Sequence, residues 1–365
     1  MKRLLFLVLV FTYSLSATAQ ISFTNLKDVS CTEVKNQQKT GTCWSFATTS
    51  FLESELIRQN KINLDLSEMF IVRNIYEDKA MNYVLRQGKA NFSQGSLAHD
   101  LLRVAIKDGV VPQKYYSGLV DGYEVYDHTE MEAGLKGFLD GVTSQKEVST
   151  KWDEAVDAIL DTYLGAEPKE FMVDGKSYTP KSYEESLNIN PEDYVSITSF
   201  THHPFYSKFI LEIPDNYSNG SFYNVPLKEL MQIMYNAIDQ GYSIAWDGDV
   251  SEKGFSAKEG IAILPVNESN IDFSKENTEI TPSQELRQEW FLEYKTTDDH
   301  LMHLVGIAKD QNGKKYFKVK NSWGSNVSDY KGYLYMSDAY AEMKTMAIMV
   351  NKKAIPADIL RKMGL

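Results

Sequence analysis

The sequence predicts an α+β protein in which a helical half is followed by a β-rich half. Residues 43–60 carry apolar and aromatic side chains at helical spacing, and further helical patterns follow up to about residue 240. Beyond that point the pattern changes to short runs of β-branched and aromatic residues, which are typical of strands. A helical half and a β half in this order indicate two packed units with a cleft between them.

The helices and strands are predicted from apolar spacing and from the residues at their ends. Helices are expected at 43–60, from 67–68 to about 88, and at about 150–165. The clearest helix starts at Pro226 and ends at Gly241, and its apolar face consists of Leu227, Leu230, Met231, Met234 and Ile238. Strands are expected at 243–246, 304–308, 316–320 and 333–336, with a turn at Asn312-Gly313.

The composition is that of an ordinary globular protein and argues against several classes of function. Of the 365 residues, 43% are hydrophobic and 24% are charged, which excludes disordered, collagen-like and coiled-coil chains. The formal net charge is −12, so most of the surface would repel a phosphate backbone, and no nucleic-acid partner is expected. Two cysteines allow at most one disulfide.

Residues 1–19 have the pattern of a secretory signal peptide. Lys2 and Arg3 precede an apolar run at 4–11, and the small-residue sequence at 17–19 is a cleavage site. The alternatives are a buried N-terminal helix or a membrane anchor, but the apolar run is too short to span a bilayer. We therefore expect an exported protein, periplasmic or extracellular, that starts near Gln20 and has no membrane partner after cleavage.

Cys43 is the candidate nucleophile. It lies where a loop containing Gly41 and Thr42 turns into the first predicted helix. The positive end of the helix dipole favours the thiolate form of such a thiol. Backbone N–H groups of the first helical turn can stabilise an oxyanion, and Gln37, six residues upstream, can supply a second donor.

A thiolate nucleophile needs a base, and of the six histidines His300 is the strongest candidate. It precedes a predicted strand, and a hairpin through Asn312-Gly313 would bring it beside Asn321. The amide oxygen of Asn321 would then fix one imidazole tautomer, and the indole of Trp323 would shield the pair from water. The rival base, His303, is expected on the opposite face of the strand.

These residues resemble the papain superfamily of cysteine proteases. The resemblance rests on Gln37, on Cys43-Trp44, on the run at 64–68, on His300 with a glycine six residues later, and on the sequence at 321–324. Thr40 replaces the first cysteine of the superfamily pattern, so that disulfide is absent and Cys31 is interpreted as a free thiol. His300 follows Cys43 by 257 residues instead of about 130–150, which indicates a large insertion.

The insertion points to one branch, since the chain looks like the bleomycin hydrolase and aminopeptidase C family at residues 41–46, 51–55, 201–206 and 224–227. The resemblance implies a papain-like fold with a helical left half (about 30–112), an insertion (about 113–225), a β-barrel-like right half (about 226–350) and a C-terminal arm (about 351–365). It also implies that the arm enters the cleft and limits cleavage to free N-termini, and that six copies form a ring. Members are usually cytosolic, and the signal peptide departs from that pattern.

Three further motifs were weighed for ligands. Gly95-Ser96 is interpreted as a substrate-binding wall where papain relatives carry paired glycines, the alternative being a plain turn. Adjacent histidines on a strand point in opposite directions, so His202 and His203 are expected to have a structural role. The sequence at 247–249 lacks the remaining ligands of a calcium loop and is expected to be a turn. No metal and no cofactor are therefore expected.

The sequence thus predicts a cysteine peptidase that acts on peptide or protein substrates, most simply as an aminopeptidase, with Trp323 and Gly95-Ser96 contacting the substrate. One alternative is an endopeptidase with an open cleft. A second is a catalytically silent binding protein, which the complete set of Cys43, His300, Asn321 and Gln37 argues against. A third is transglutamination, which usually employs an acidic residue where this chain has Asn321.

Overall fold

The computed structural model of the protein describes residues 21–59, 64–120 and 122–365. The predicted signal peptide lies outside the described residues. Within them, no helix is both long and apolar enough to cross a bilayer. The described part of the chain contains the following helices: α1 (Cys43–Arg58), α2 (Glu68–Leu85), α3 (Ala98–Asp108), α4 (Thr129–Thr143), α5 (Lys151–Leu164), α6 (Pro180–Leu187), α7 (Leu227–Asp239), α8 (Gln284–Leu292), α9 (Asp338–Lys344) and α10 (Ala357–Lys362).

The strands form one large sheet and a separate two-stranded hairpin. They are β1 (Phe23–Asp28), β2 (Phe171–Val173), β3 (Lys176–Tyr178), β4 (Tyr194–Thr198), β5 (Lys208–Ile210), β6 (Ser221–Asn224), β7 (Ile244–Gly248), β8 (Phe255–Ser256), β9 (Ile261–Ala262), β10 (His300–Asp310), β11 (Lys315–Lys320), β12 (Tyr333–Ser337) and β13 (Thr345–Asn351).

The large sheet is open. Its order is β5-β6-β4-β13-β7-β10-β11-β12-β9-β8, with β1 paired to β10, so β5 and β8 are its two ends. The α+β prediction is confirmed, and the β-barrel-like half is an open sheet instead of a closed barrel. Its centre is the long strand β10, which pairs with β7 on one side and β11 on the other. The turn at Asn312-Gly313 joins β10 to β11 as expected, with Gly313 at a φ of 86°.

The predicted insertion contributes strands to the large sheet and helices to the helical half. Its strands β4, β5 and β6 extend the large sheet beyond β13. Its helices α4 and α5 pack on α2, and their apolar residues Met131, Leu135, Val156 and Leu160 belong to the same buried cluster as Trp44 and Phe70. The predicted insertion therefore extends the large sheet and adds to the core of the helical half.

The end of the chain packs against the β half. In α10 and just after it, Ile359 and Met363 are buried in the core formed by α7 and the central strands. Lys362 at the surface forms an ion pair of 2.7 Å with Glu229 of α7. The predicted C-terminal arm is therefore a short helix held on the sheet side of the molecule.

Candidate active site

Cys43 is the first residue of α1 and follows the N-cap residue Thr42. Only 7% of Cys43 is exposed. The loop before it is fixed by Gln94, whose side-chain oxygen accepts from the Gly41 N–H at 2.7 Å and whose carbonyl accepts from the Trp44 indole at 2.9 Å. The thiol thus lies at a helix N-terminus, as predicted, and the loop before it is held in place by Gln94. Both cysteines, Cys31 and Cys43, are free.

His300 begins β10 and lies beside Asn321, which follows β11. The Nε2 atom of His300 is 2.8 Å from Oδ1 of Asn321. The same oxygen accepts from the Ser322 N–H at 2.7 Å, which identifies it as the acceptor. Nε2 of His300 therefore carries the proton, and Nδ1 is left as the basic nitrogen. The ring of Trp323 covers this pair, with its centroid 4.8 Å from that of His300.

Gln37 links the two loops. Its backbone N–H donates to the Ser322 carbonyl at 2.8 Å, and its side-chain oxygen accepts from the Ser322 hydroxyl at 2.6 Å. One N–H of its amide donates to the Thr40 carbonyl at 2.7 Å. Because an amide nitrogen has two hydrogens, the second remains to donate to a ligand.

A cavity of about 360 Å³ brings these groups together. Of the predicted site residues, Gln37, Cys43, Gly95, Ser96, His300 and Trp323 line it, and Asn321 lies behind His300. His303 instead lines a separate buried cavity, where its Nδ1 atom is 2.9 Å from the Ser50 hydroxyl. The two histidines thus lie on opposite faces of β10, as expected.

The predicted substrate wall, Gly95-Ser96, is held in place by hydrogen bonds with buried side chains. Lys79 of α2 is fully buried, and its ammonium donates to the carbonyls of Ser93, at 2.9 Å, and of Gly95. Ser96 is buried as well and donates to Asp100 at 2.9 Å. The wall lines the cavity, but its Gly95 carbonyl already has a donor.

Burial of the catalytic pair opposes the thiolate form that the helix N-terminus favours. Burial raises the pKa of the Cys43 thiol to about 12, although a hydrogen bond from the Leu301 N–H lowers it. Nearby carboxylates, Asp298 first among them, raise it further. Burial lowers the pKa of His300 to about 4, although its hydrogen bond to Asn321 raises it. A helix dipole contributes up to about 2 kcal/mol at a buried helix N-terminus, which is less than the effect of burial on the Cys43 thiol. In the substrate-free site, burial therefore favours the neutral form of each group.

A group of carboxyl side chains that the sequence interpretation did not single out lies at one end of the cavity. We call Asp215, Asp247 and Asp298 the acidic group. Asp215 and Asp298 line the cavity, and all three raise the pKa of the Cys43 thiol. Asp247 was expected in a turn but lies within β7, where it is 96% buried. A pair of aspartates directly before His300 was the available signal, whereas Asp215 comes from the insertion and gave none.

All three carboxyl groups of the acidic group have a raised pKa. Burial raises the pKa of Asp298 from 3.8 to about 7, and the Asp215 carboxylate adds to that rise. Burial and the facing carboxyl of Asp298 raise the pKa of Asp247 well above its usual range. Burial also raises the pKa of Asp215, while the Lys79 ammonium opposes that shift.

We expect Asp298→Asn to become more stable relative to the native protein as the pH rises from 5 to 8. Since the pKa of Asp298 is higher in the folded than in the unfolded chain, the stability it contributes is present at low pH and is lost as the pH rises through about 7. Asparagine does not titrate. Urea midpoints of the native protein and the variant are measured at both pH values. The difference between the two proteins is then compared, because the contribution of the buried histidines is the same in both and cancels. A pH-independent difference would contradict it.

His202 and His203 do not point in opposite directions, because they lie in a turn between β4 and β5 instead of a strand. Both imidazoles contact one carboxylate, with Nε2 of His202 at 3.2 Å and Nε2 of His203 at 2.7 Å from Glu212. Among the described residues this trio has the spacing of a metal site. Hydrogen bonds from two imidazoles to one carboxylate account for the arrangement without an ion.

Comparison with known proteins identifies the family of this chain. Residues 147–364 match the peptidase C1-like family, and residues 19–191 match the papain family of cysteine proteases. Aminopeptidase W of Lactobacillus delbrueckii subsp. lactis is 25% identical over 95% of this chain and 87% of its own length. Bleomycin hydrolase of Gallus gallus is 24% identical over 90% of this chain and 82% of its own length.

A solved structure of PepW from Lactobacillus rhamnosis HN001 has the same fold, with a TM-score of 0.71 at 21% identity, over 93% of this chain and 84% of that one. The family match spans more than half of the chain and includes His300 and Asn321, and the papain match includes Gln37 and Cys43. The chain is therefore a cysteine peptidase that belongs to the peptidase C1-like family.

Proposed function

We propose that this protein is an aminopeptidase in which Cys43 is the nucleophile, His300 the general base and acid, and Asn321 the residue that orients His300. The observation that carries the proposal is the cavity that contains both Cys43 and His300 while Asn321 occupies the far nitrogen of the imidazole. The remaining nitrogen, Nδ1, is then available to the thiol.

The reaction starts from the neutral pair. His300 Nδ1 takes the thiol proton as Cys43 Sγ attacks the carbonyl carbon of the substrate, so the ion pair forms as the substrate reacts. The negative charge that develops on the carbonyl oxygen is stabilised by the Cys43 N–H and by the free amide hydrogen of Gln37. His300 gives its proton to the leaving amine, the C–N bond breaks, and water then releases the acyl group from sulfur.

Two features support cleavage at a free N-terminus over an open endopeptidase cleft. The relatives named aminopeptidase C and aminopeptidase W align over nearly the whole chain. In addition, residues 211–220 of the insertion lie against the substrate wall and place Asp215 at the cavity. A complete set of catalytic side chains argues against a silent binding protein. A neutral orienting residue, Asn321, argues against transglutamination.

We also propose that the protein is exported after cleavage of residues 1–19. Support comes from Ile21, which is 96% buried beside β1 and whose carbonyl accepts from the Tyr330 hydroxyl at 3.2 Å. A mature chain that starts near Gln20 would therefore keep Ile21 and the strand β1 that follows it. The N-terminal sequence of the exported protein tests this.

The homo-oligomer implied by the resemblance is part of the proposal, and light scattering on the mature protein measures it.

The aminopeptidase proposal is tested with two fluorogenic alanine amides that share one leaving group, one with a free amine and one N-acetylated. We expect the mature protein, under reducing conditions, to hydrolyse only the free-amine substrate. Prior treatment with an epoxide inhibitor of thiol proteases should remove this activity and label Cys43. Equal or faster cleavage of the acetylated amide would mean an endopeptidase. Labelling of Cys43 without turnover of either amide, or of a wider panel, would favour a binding protein.

A further inference from the structure

Asp215 offers one carboxylate oxygen to the cavity. Its Oδ1 atom accepts from Asn91 at 3.3 Å and from Ser93 at 3.4 Å. Its Oδ2 atom lies over the α-carbon of Gly95, so close that a Cβ atom added there would be 1.7 Å from it. The carboxylate therefore occupies the space above the substrate wall that a side chain at position 95 would fill.

The segment that carries Asp215 is rigid. The amide of Asn216 donates to the carbonyls of Leu211 and Gly220, both at 2.9 Å, and its oxygen accepts from the Gly220 N–H at 2.8 Å. Asn91 donates to the Pro214 carbonyl at 3.0 Å. Tyr217 is buried in the core of the helical half. A carboxylate held in this way pays little conformational entropy when it binds a ligand.

The rest of the acidic group lacks donors. Apart from the hydrogen bond between these two carboxyl groups, both carboxyl oxygens of Asp247, which is 96% buried, and Oδ2 of Asp298 have no hydrogen-bond donor among the described residues. The two carboxyl groups face each other. Lys79 attracts Asp215 and Asp298 electrostatically, but its ammonium already donates to the carbonyls of Ser93 and Gly95. Buried carboxyl groups without a donor are unfavourable, so this end of the cavity is suited to a cation.

We propose that Asp215 and Asp298 bind the α-ammonium group of the peptide's N-terminal residue, with the Asp247 carboxyl facing Asp298 from behind. This inference rests on the proposed aminopeptidase function and names the residues that recognise the free amine. In an N-terminal residue, the amine is about 2.5 Å from the carbonyl carbon that the thiol attacks. A carboxylate that binds it must therefore lie in the same cavity as Cys43, as Asp215 and Asp298 do.

An ammonium group fits these carboxylates because its three N–H donors can reach two or three oxygens at about 2.8 Å each. The end of the chain does not compete for this site. Residues 351–365 are absent from the cavity lining among the described residues, and Ile359 and Met363 hold that segment in the core of the β half. A carboxylate from the insertion thus takes the task that the resemblance assigned to the C-terminal arm.

The test measures Asp215→Asn with the free and the acetylated alanine amides, each rate divided by the concentration of sites titrated with the epoxide inhibitor. We expect kcat/KM for the free-amine substrate to fall about 10- to 100-fold, mainly through KM, since one charge-assisted hydrogen bond is lost. Hydrolysis of the acetylated amide should stay the same or rise. Asp298→Asn should act in the same direction and serves as the second variant. Asp174→Asn, at an exposed turn of the insertion, is the matched control and should leave both rates unchanged.

The outcomes separate this inference from the function on which it rests. If the native protein cleaves the acetylated amide as well as the free one, both proposals fall. If the native protein requires the free amine but both Asp variants keep that preference, only the ammonium site is wrong. An equal loss on both amides would also overturn it. Lysine and leucine amides with the same leaving group, both with a free amine, complete the test, because a loss confined to the lysine substrate would assign the acidic group to a basic side chain instead.

Discussion

Cys43→Ala and His300→Ala are each expected to lower kcat/KM for the free-amine substrate by about 10,000-fold, and the double variant should lose no more than either single one. The reason is that the two residues act as a unit: without the base the thiol stays protonated at neutral pH, and without sulfur the imidazole has no nucleophile to activate. Burial raises the pKa of Cys43 to about 12, so very little thiolate forms without His300. Steady-state kinetics of the three variants measure this directly.

His303→Asn is the matched control for His300→Ala. His303 is fully buried on the other face of β10, and asparagine can keep the hydrogen bond that its Nδ1 atom makes with Ser50. We expect this variant to retain activity per folded molecule. If His303→Asn lost as much as His300→Ala while near-ultraviolet circular dichroism stayed native, the assignment of the base would be wrong. Additive losses in the double variant would contradict a cooperating pair.

The catalytic side chains could be predicted because each lies in a short sequence with its own local signal. Cys43 is at a loop-to-helix transition, and His300 and Asn321 are brought together by one hairpin whose turn, Asn312-Gly313, is visible in the sequence. A hairpin fixes the register of its two strands, so contacts between them follow from the sequence alone. The helical half followed by a β half was predicted for similar reasons.

Contacts between distant segments could not be predicted in this way. Asp215 reaches Gly95 only because the insertion folds onto the helical half, which depends on the burial of Tyr217 and its neighbours. The raised pKa of Cys43 depends on burial and on nearby carboxylates that include Asp215, whereas the sequence shows only the helix N-terminus. The expected opposite directions of His202 and His203 required a strand, and the chain turns there instead.

We expect Lys344→Met to lower the free energy of unfolding by about 3–5 kcal/mol, because it breaks a buried charge network by removing its cation. Lys344 is fully buried and pairs with Asp249, at 3.4 Å, and with Glu252. Although burial opposes the effect, hydrogen bonds from Ser251 and the charge of Lys344 lower the pKa of Asp249. In the variant, Asp249 and Glu252 would face each other without a cation. Urea unfolding followed by near-ultraviolet circular dichroism measures the change.

This network also connects stability to the site. Oδ2 of Asp249, the oxygen that pairs with Lys344, also accepts from the Thr297 N–H at 3.0 Å, just before the segment that carries Asp298 and His300. Lys344→Met should therefore lower the activity per folded molecule as well as the stability. Lys151→Met is the control, since it breaks an exposed ion pair with Glu154 and should change neither property. A Lys344 variant as stable as this control would mean that the buried carboxyl groups are neutral in the folded protein, so that Asp249 needs no cation to hold the loop before His300.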